Sequence, residues 1–126
     1  IQRVGDAKDI EVNVRVIAAT NKDLQKEIKD KKFREDLYHR LAVILIDVPS
    51  LNDRRDDIPI LIEYFAMKIA KEQGTSIKVF KAKAIKLLQE YNWTGNIREL
   101  RNVVERLIIL GEEKVSEQDV KMFTSK

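Results

Sequence analysis

The spacing of apolar residues changes character once along this chain, at Pro49. Before it, apolar residues come in short β-branched runs. After it, they recur every three or four residues almost to the end. The two patterns demand different partners. A continuous β-branched run is a strand that must be covered on both faces, whereas three-to-four spacing gives a helix with one apolar stripe to bury. One uniform architecture cannot satisfy both, so the chain must join two.

The first run is Val12, Val14, Val16 and then Ile17-Ala18-Ala19. It begins in alternation and ends unbroken, which predicts a buried strand. The second, Val43 to Val48, predicts another, stopped by Pro49. Between them Asn21 is placed to cap a short helix carrying Leu24 and Ile28, because its side-chain oxygen can reach the free amides of the next turn. Asp30 to Lys32 reads as a solvated interruption. A second short helix, from about Arg34 to Leu41, would bury Phe33, Leu37 and Leu41 at i, i+4, i+8. Pro49 to Asp57 is strongly charged and reads as a linker, so residues 1–50 and 51–126 are expected as separate parts.

Beyond the linker, Asp57 is an expected N-cap and Pro59 falls in the first turn, where its missing N–H costs little. Ile58, Leu61, Ile62, Phe65 and Ile69 follow at helical spacing, and Gly74 ends that helix. A helix from about Lys81 to Tyr91 carries Ala84, Ile85 and Leu88. After a turn at Asn92 to Gly95, a third helix starts at Asn96 with Glu99 as its capping-box partner. Ile97, Leu100, Val104, Leu107 and Ile108 form its apolar face, and Gly111 stops it. Ser116 would cap a last helix bearing Val120 and Phe123. The fold class expected is therefore an α/β piece followed by an all-α bundle of four helices.

Composition narrows the chemistry. Lys and Arg number 24 against 21 Asp and Glu, so the net charge is only +3 and no basic stripe is implied. The absence of cysteine excludes disulfides and thiolate metal sites, and the lone His39 argues against a histidine site, so no metal centre is expected. No apolar run approaches the roughly 20 residues of a membrane helix. Ile1-Gln2-Arg3-Val4 is not a signal peptide, which leaves a soluble cytoplasmic chain as the expectation. A start without Met fits a fragment.

Three stretches could carry chemistry. The first strand ends in Thr20-Asn21. Ligands of open α/β sheets bind beyond the carboxyl ends of strands, and this pair can hold a water or a phosphate oxygen; taken alone, a plain helix cap is the simpler reading. Arg34 and Arg40 lie off the apolar stripe of their helix. A guanidinium is a planar fork of donors suited to phosphate, although pairing with Glu35 or Asp36 is the simpler reading. Arg98 sits in the first turn of its helix, where the dipole disfavours a cation, so a ligand is one reason for its presence.

In order and spacing these stretches resemble the central domain of bacterial enhancer-binding proteins, the NtrC-like AAA+ ATPases that activate sigma-54-dependent transcription. The segments that carry the resemblance are VRVIAATNKD (14–23), FREDLYHRL (33–41), VPSLNDRRDDIPI (48–60) and YNWTGNIRELRNVVERLII (91–109). The resemblance implies the C-terminal part of an AAA+ α/β subdomain followed by its helical lid. It implies Asn21 as sensor I beside the γ-phosphate with Thr20 its neighbour, and Arg34 and Arg40 as arginine fingers reaching an adjacent subunit's nucleotide. It implies Arg98 as sensor II, with Ile97 and Ile58 against the adenine. ATP and Mg²⁺ are implied for the parent domain, with none expected on the fragment alone. Sigma-54 RNA polymerase and a homo-oligomeric, hexameric ring are the implied partners, and a two-component response regulator is an implied setting. DNA would be met only through a module outside this chain. Two departures stand out in the linker, where Asn52 replaces the family's usual Arg and Asp53 its Glu. A third is Thr94, where Pro is usual. The chain has no Gly-x-x-x-x-Gly-Lys-Ser/Thr loop and no acidic Walker B strand, parts that lie upstream in the family, so the fragment itself is expected to be inactive. The alternative is a DNA-binding helix-turn-helix over residues 81–110, weakened because Glu99 and Glu105 share the last helix with Arg98, Arg101 and Arg106. A purely assembling module without chemistry is the third possibility.

Overall fold

A computed structural model describes residues 2–124, which divide between Asp47 and Val48 into two compact units.

In the first unit, Asp23 and not Asn21 caps helix α1 (Leu24–Lys29). Its Oδ1 accepts from the amides of Gln25 at 3.1 Å and Lys26 at 3.3 Å. The helix start therefore lies two residues later than the Asn21 reading placed it. The charged interruption is the turn that closes α1, with Lys31 in the left-handed region at φ 59°. Helix α2 spans Glu35–Leu41, and Arg34 occupies its N-cap position without a side-chain capping bond.

The two expected strands do not form. Residues 12–19 and 43–48 make no ladder hydrogen bonds among the described residues, where an isolated bridge between Gln2 and Asp9 is the unit's sole pairing. Their apolar side chains stand in the open, from Val14 at 63% exposed to Ile17 at 86%, and Val43 is 81% exposed. The reason is mutual dependence. A two-faced apolar strand holds its place only when neighbouring strands take its N–H and C=O groups and layers cover both faces. Within this unit neither run finds such neighbours. The stripe on α2 fails with them. Phe33 is half-buried, Leu37 and Leu41 are exposed, and none of the unit's described residues is buried.

The second unit has the expected helices and a core. Leu51–Asp57, read as a linker, is a 3-10 helix kinked at Arg54 (φ −124°, ψ 37°), and its Leu51 is buried. Helix α3 follows at Ile58–Gln73, with Pro59 in its first turn and Gly74 left-handed at its end (φ 64°), where a side chain would be strained. Asp57 makes no capping bond; its carboxylate pairs with Arg54 Nε at 3.0 Å. Helix α4 spans Ala82–Glu90, α5 Asn96–Leu110 and α6 Glu117–Thr124. Between α3 and α4 the short strand β1 (Val79–Phe80) pairs in parallel with β2 (Lys114–Val115). Two-residue strands are too short to show a period, so the pattern of the sequence does not reveal them.

One core unites these elements. Ile58, Ile62, Phe65 and Ile69 of α3 pack with Ala84 and Leu88 of α4, Leu100, Val104 and Leu107 of α5, and Val115, Val120 and Trp93. The helix ends are closed by side chains. Ser116 and Asp119 cap α6 reciprocally, with Asp119 Oδ2 2.9 Å from the Ser116 amide and Ser116 Oγ 3.3 Å from the Asp119 amide. Lys78 Nζ donates to the terminal carbonyls of Ile108 and Gly111. At α4, which lacks a glycine cap, Trp93 Nε1 donates to Leu88 O at 2.7 Å and Arg55 donates to Gln89 O and Tyr91 O. The expected capping box at α5 is not made. The Asn96 amide is already bonded to Trp93 O, so Glu99 has no free amide to reach, and one of its carboxylate oxygens is buried without a partner.

Candidate functional site

In the first unit the candidate residues lie just before α1 and at the two ends of α2. Thr20 Oγ1 accepts from the Lys22 amide at 3.1 Å, a local turn that fixes the chain after residue 19. Because Asp23 takes the capping work, the Asn21 side chain is left exposed with no partner among the described residues. An amide presented this way can both donate and accept, as holding a water requires.

Arg34 and Arg40 differ. Arg34 grips Asp36 in a bidentate pair, Nε to Oδ1 at 3.0 Å and Nη2 to Oδ2 at 2.6 Å, with both side chains well exposed. The Arg34 hydrogen bonds, with help from the Leu37 amide at 2.8 Å, hold the Asp36 carboxyl below its ordinary range. Thus for Arg34 the simple ion-pair reading holds at rest. Arg40 makes no hydrogen bond or ion pair among the described residues and feels Asp36 only through space. It stands in the last turn of α2, where the dipole favours a cation. His39 is exposed, 3.6 Å from Glu35 and edge-on to the Tyr38 ring.

In the second unit Arg98 and Ile97 open α5. Both are exposed, and the Arg98 side chain has no partner among the described residues. The turn before them is sterically constrained. Trp93 is buried, Asn96 is left-handed at φ 53°, and a Cβ on Gly95 would come within 2.8 Å of Glu99 Cβ. Ile58 is fully buried and packs in the core of the helical unit.

No group of three or more His, Asp or Glu side chains is placed to hold a metal ion among the described residues. No described helix is long and apolar enough to cross a membrane.

The helix-turn-helix alternative fails on the same geometry. A recognition helix needs its basic side chains free to reach bases and phosphates. On α5, Arg101 Nη2 lies 3.4 Å from Glu72 and Arg106 donates to Phe123 O at 3.1 Å. Sequence reasoning also missed Asn52 and Arg55, which tie the 3-10 helix to the α4–α5 turn through bonds spanning 34 residues or more. The sequence marks Asn52 only as a departure from the family's usual Arg, and Arg55 only as one of the charged side chains in a segment that reads as solvated.

Comparison with known proteins identifies the family. A family model described as an AAA+ ATPase lid domain matches residues 52–123, and one described as a sigma-54 interaction domain matches residues 1–47. The lid match covers both helices of the proposed helix-turn-helix and removes that alternative. The transcriptional regulatory protein ZraR of Escherichia coli K12 is 47% identical over 121 residues, covering 95% of this chain and 27% of the relative. The Nif-specific regulatory protein of Azotobacter vinelandii is 46% identical over 123 residues, covering 98% and 23%. A crystal structure of NtrX from Brucella abortus in complex with ATP superimposes with a TM-score of 0.86 at 43% identity, covering 93% of this chain and 28% of that one. The chain thus spans about a quarter of the length of the curated relatives it matches.

Proposed function

Because this chain belongs to the AAA+ ATPase family of sigma-54-dependent transcriptional activators, we propose that it supplies the sensor, arginine fingers and helical lid of an ATP-hydrolysing ring that remodels sigma-54 RNA polymerase. The observation that carries this reading is selective freedom. Asn21, Arg40 and Arg98 present unpartnered polar groups at the three motif positions, while neighbouring residues make the caps and ion pairs.

In this reading the loop that holds the phosphates, and the ligands of Mg²⁺, are supplied by residues outside these 126. Hydrolysis is in-line attack of water on the γ-phosphorus, with cleavage of the bond to the β–γ bridging oxygen and release of ADP and phosphate. Asn21 orients the water through its amide. Arg40 reaches across a subunit boundary and neutralises charge building on the γ-phosphoryl oxygens. Arg34 joins it after exchanging Asp36 for phosphate, a change favoured by the weakness of an exposed ion pair. Arg98 binds phosphate oxygens from the lid, so that lid position follows nucleotide state, and Ile97 covers the base. The ring is a homo-hexamer working in the cytoplasm, and contact with DNA belongs to a module outside this chain.

The test is made in the polypeptide that joins these residues to a phosphate-binding loop. Arg40→Ala and Arg34→Ala should each lower turnover by about 10³–10⁵-fold while nucleotide binding survives. Mixing either variant with a subunit that lacks its own phosphate-binding loop but keeps its fingers should restore turnover. No recovery in the mixture would refute action in trans.

A further inference from the structure

We propose that Asn52 is a positioning residue for Arg98. It clamps the 3-10 helix to the α4–α5 turn, so that displacement of the chain entering the helical unit is transmitted to the start of α5.

Three groups of hydrogen bonds make the clamp. At one side Asn96 Oδ1 accepts from the Leu51 amide at 2.9 Å, joining the first residue of the 3-10 helix to the first residue of α5. In the middle the half-buried Asn52 uses both ends of its amide. Its Oδ1 accepts from the Trp93 amide at 2.9 Å and from Arg55 Nη2 at 3.3 Å, and its Nδ2 donates to Asn92 Oδ1 at 3.0 Å. At the far side Arg55 Nη1 donates to Tyr91 O at 2.8 Å and to Gln89 O, while Gln89 Nε2 donates to Arg55 O at 3.1 Å.

These bonds do not merely tether a loop. Asn92 to Gly95 contains no helix to stiffen it, and the Trp93 amide has no backbone acceptor in this arrangement, so Asn52 supplies the missing one. Trp93 is anchored below by its indole bond to Leu88 O and by the Tyr91 ring 4.6 Å away. Asn96, two residues before Arg98, carries the strain of the turn in its left-handed backbone, which Asn tolerates better than most residues. Fixing Asn92, Trp93 and Asn96 to one short helix fixes the direction in which α5 starts, and with it the exposed guanidinium of Arg98. An Arg at position 52 could donate but could not accept from the Trp93 amide. The Asn at this position is therefore matched to this turn.

The proposal deepens the reading of Arg98 as the nucleotide-contacting residue of the lid, and its test uses no nucleotide, so the two can fail separately. Amide hydrogen exchange and ¹⁵N relaxation are measured on the ¹⁵N-labelled 126-residue chain, its Asn52→Ala variant and its Asn52→Asp variant. Asp keeps the acceptor for Trp93 and Arg55 and loses only the donor to Asn92. Asn52→Ala should speed exchange at the Trp93 amide by about tenfold relative to the core amide of Val104 and lower the order parameter of the Arg98 amide. Asn52→Asp should keep both close to the parent, with Trp93 exchange within about threefold. Equal acceleration at Trp93 and Val104 would overturn the proposal, because Asn52 would then add only general stability. An Arg98 amide of unchanged order in the alanine variant would overturn it as well. If the alanine variant does not fold, the aspartate variant decides: preserved Trp93 protection and Arg98 order support the clamp, and loss of either refutes it.

Discussion

Trp93→Phe tests how the α4–α5 turn is held. The indole is buried and bridges two jobs, filling the core beside Tyr91 and satisfying Leu88 O, a carbonyl near the end of α4 where the helix offers no further amides. Phenylalanine keeps most of the ring. The volume it fails to fill is about 40 Å³, which at about 24 cal/mol per Å³ costs about 1 kcal/mol. Leaving the Leu88 carbonyl buried without its donor adds about 1–3 kcal/mol. The sum is about 2–4 kcal/mol, a large part of the stability of a small helical unit. Urea unfolding of the whole chain, followed by the helical circular dichroism signal, reads this directly as a shift in midpoint at constant slope. A loss below about 1 kcal/mol would refute the reasoning, since neither the cavity nor the orphaned carbonyl would then be real.

Other substitutions probe separate parts of the account. Gly95→Ala should destabilise by about 1–3 kcal/mol in thermal unfolding, because the new Cβ meets Glu99 Cβ, which is anchored on the helix and cannot swing away. A neutral outcome would show that the start of α5 is looser than described. Ser116→Ala should cost about 1 kcal/mol by the same assay through loss of the reciprocal cap on α6. The Asp36 carboxyl, held down first by Arg34 and then by the Leu37 amide, should titrate by NMR below the ordinary aspartate range. Because this folded value is depressed, its contribution to stability is present above the unfolded value and is lost as pH falls through the folded one. Arg34→Ala should move the midpoint upward, and an unmoved midpoint would remove the ion pair from the account.

The helical unit is legible in the sequence because its signals are local and its core is self-contained. Gly74 and Gly111 end their helices, Ser116 caps its own, and the apolar spacing from Ile58 to Ile69 falls on the buried face of α3. Capping misled wherever a competing partner won. Asp23 outreached Asn21 by lying nearer the helix start, and Asn96 turned its side chain to Leu51, leaving Glu99 without its box. The strands at 12–19 and 43–48 show the opposite limit. Their composition reads as buried strand, yet pairing is a non-local property and neither run is paired or covered among the described residues. For the candidate site, residue type and motif order single out Asn21, Arg34, Arg40 and Arg98 as candidates. They do not separate the paired Arg34 from the free Arg40, and the spacing of Ile58 already puts it on the core face where it is buried.

The central claim is that this chain supplies the lid and sensor elements of a nucleotide-binding ATPase. Replacing the matching segment of Brucella abortus NtrX, which is known in complex with ATP, by residues 2–124 of this chain tests it most directly. ATP affinity of the chimera is measured by calorimetry with and without Arg98→Ala. The account expects ATP binding within about tenfold of NtrX and a further weakening of about tenfold or more in the Arg98→Ala chimera, the loss of one charge-assisted contact. A folded chimera that binds ATP equally well with and without Arg98 would contradict it.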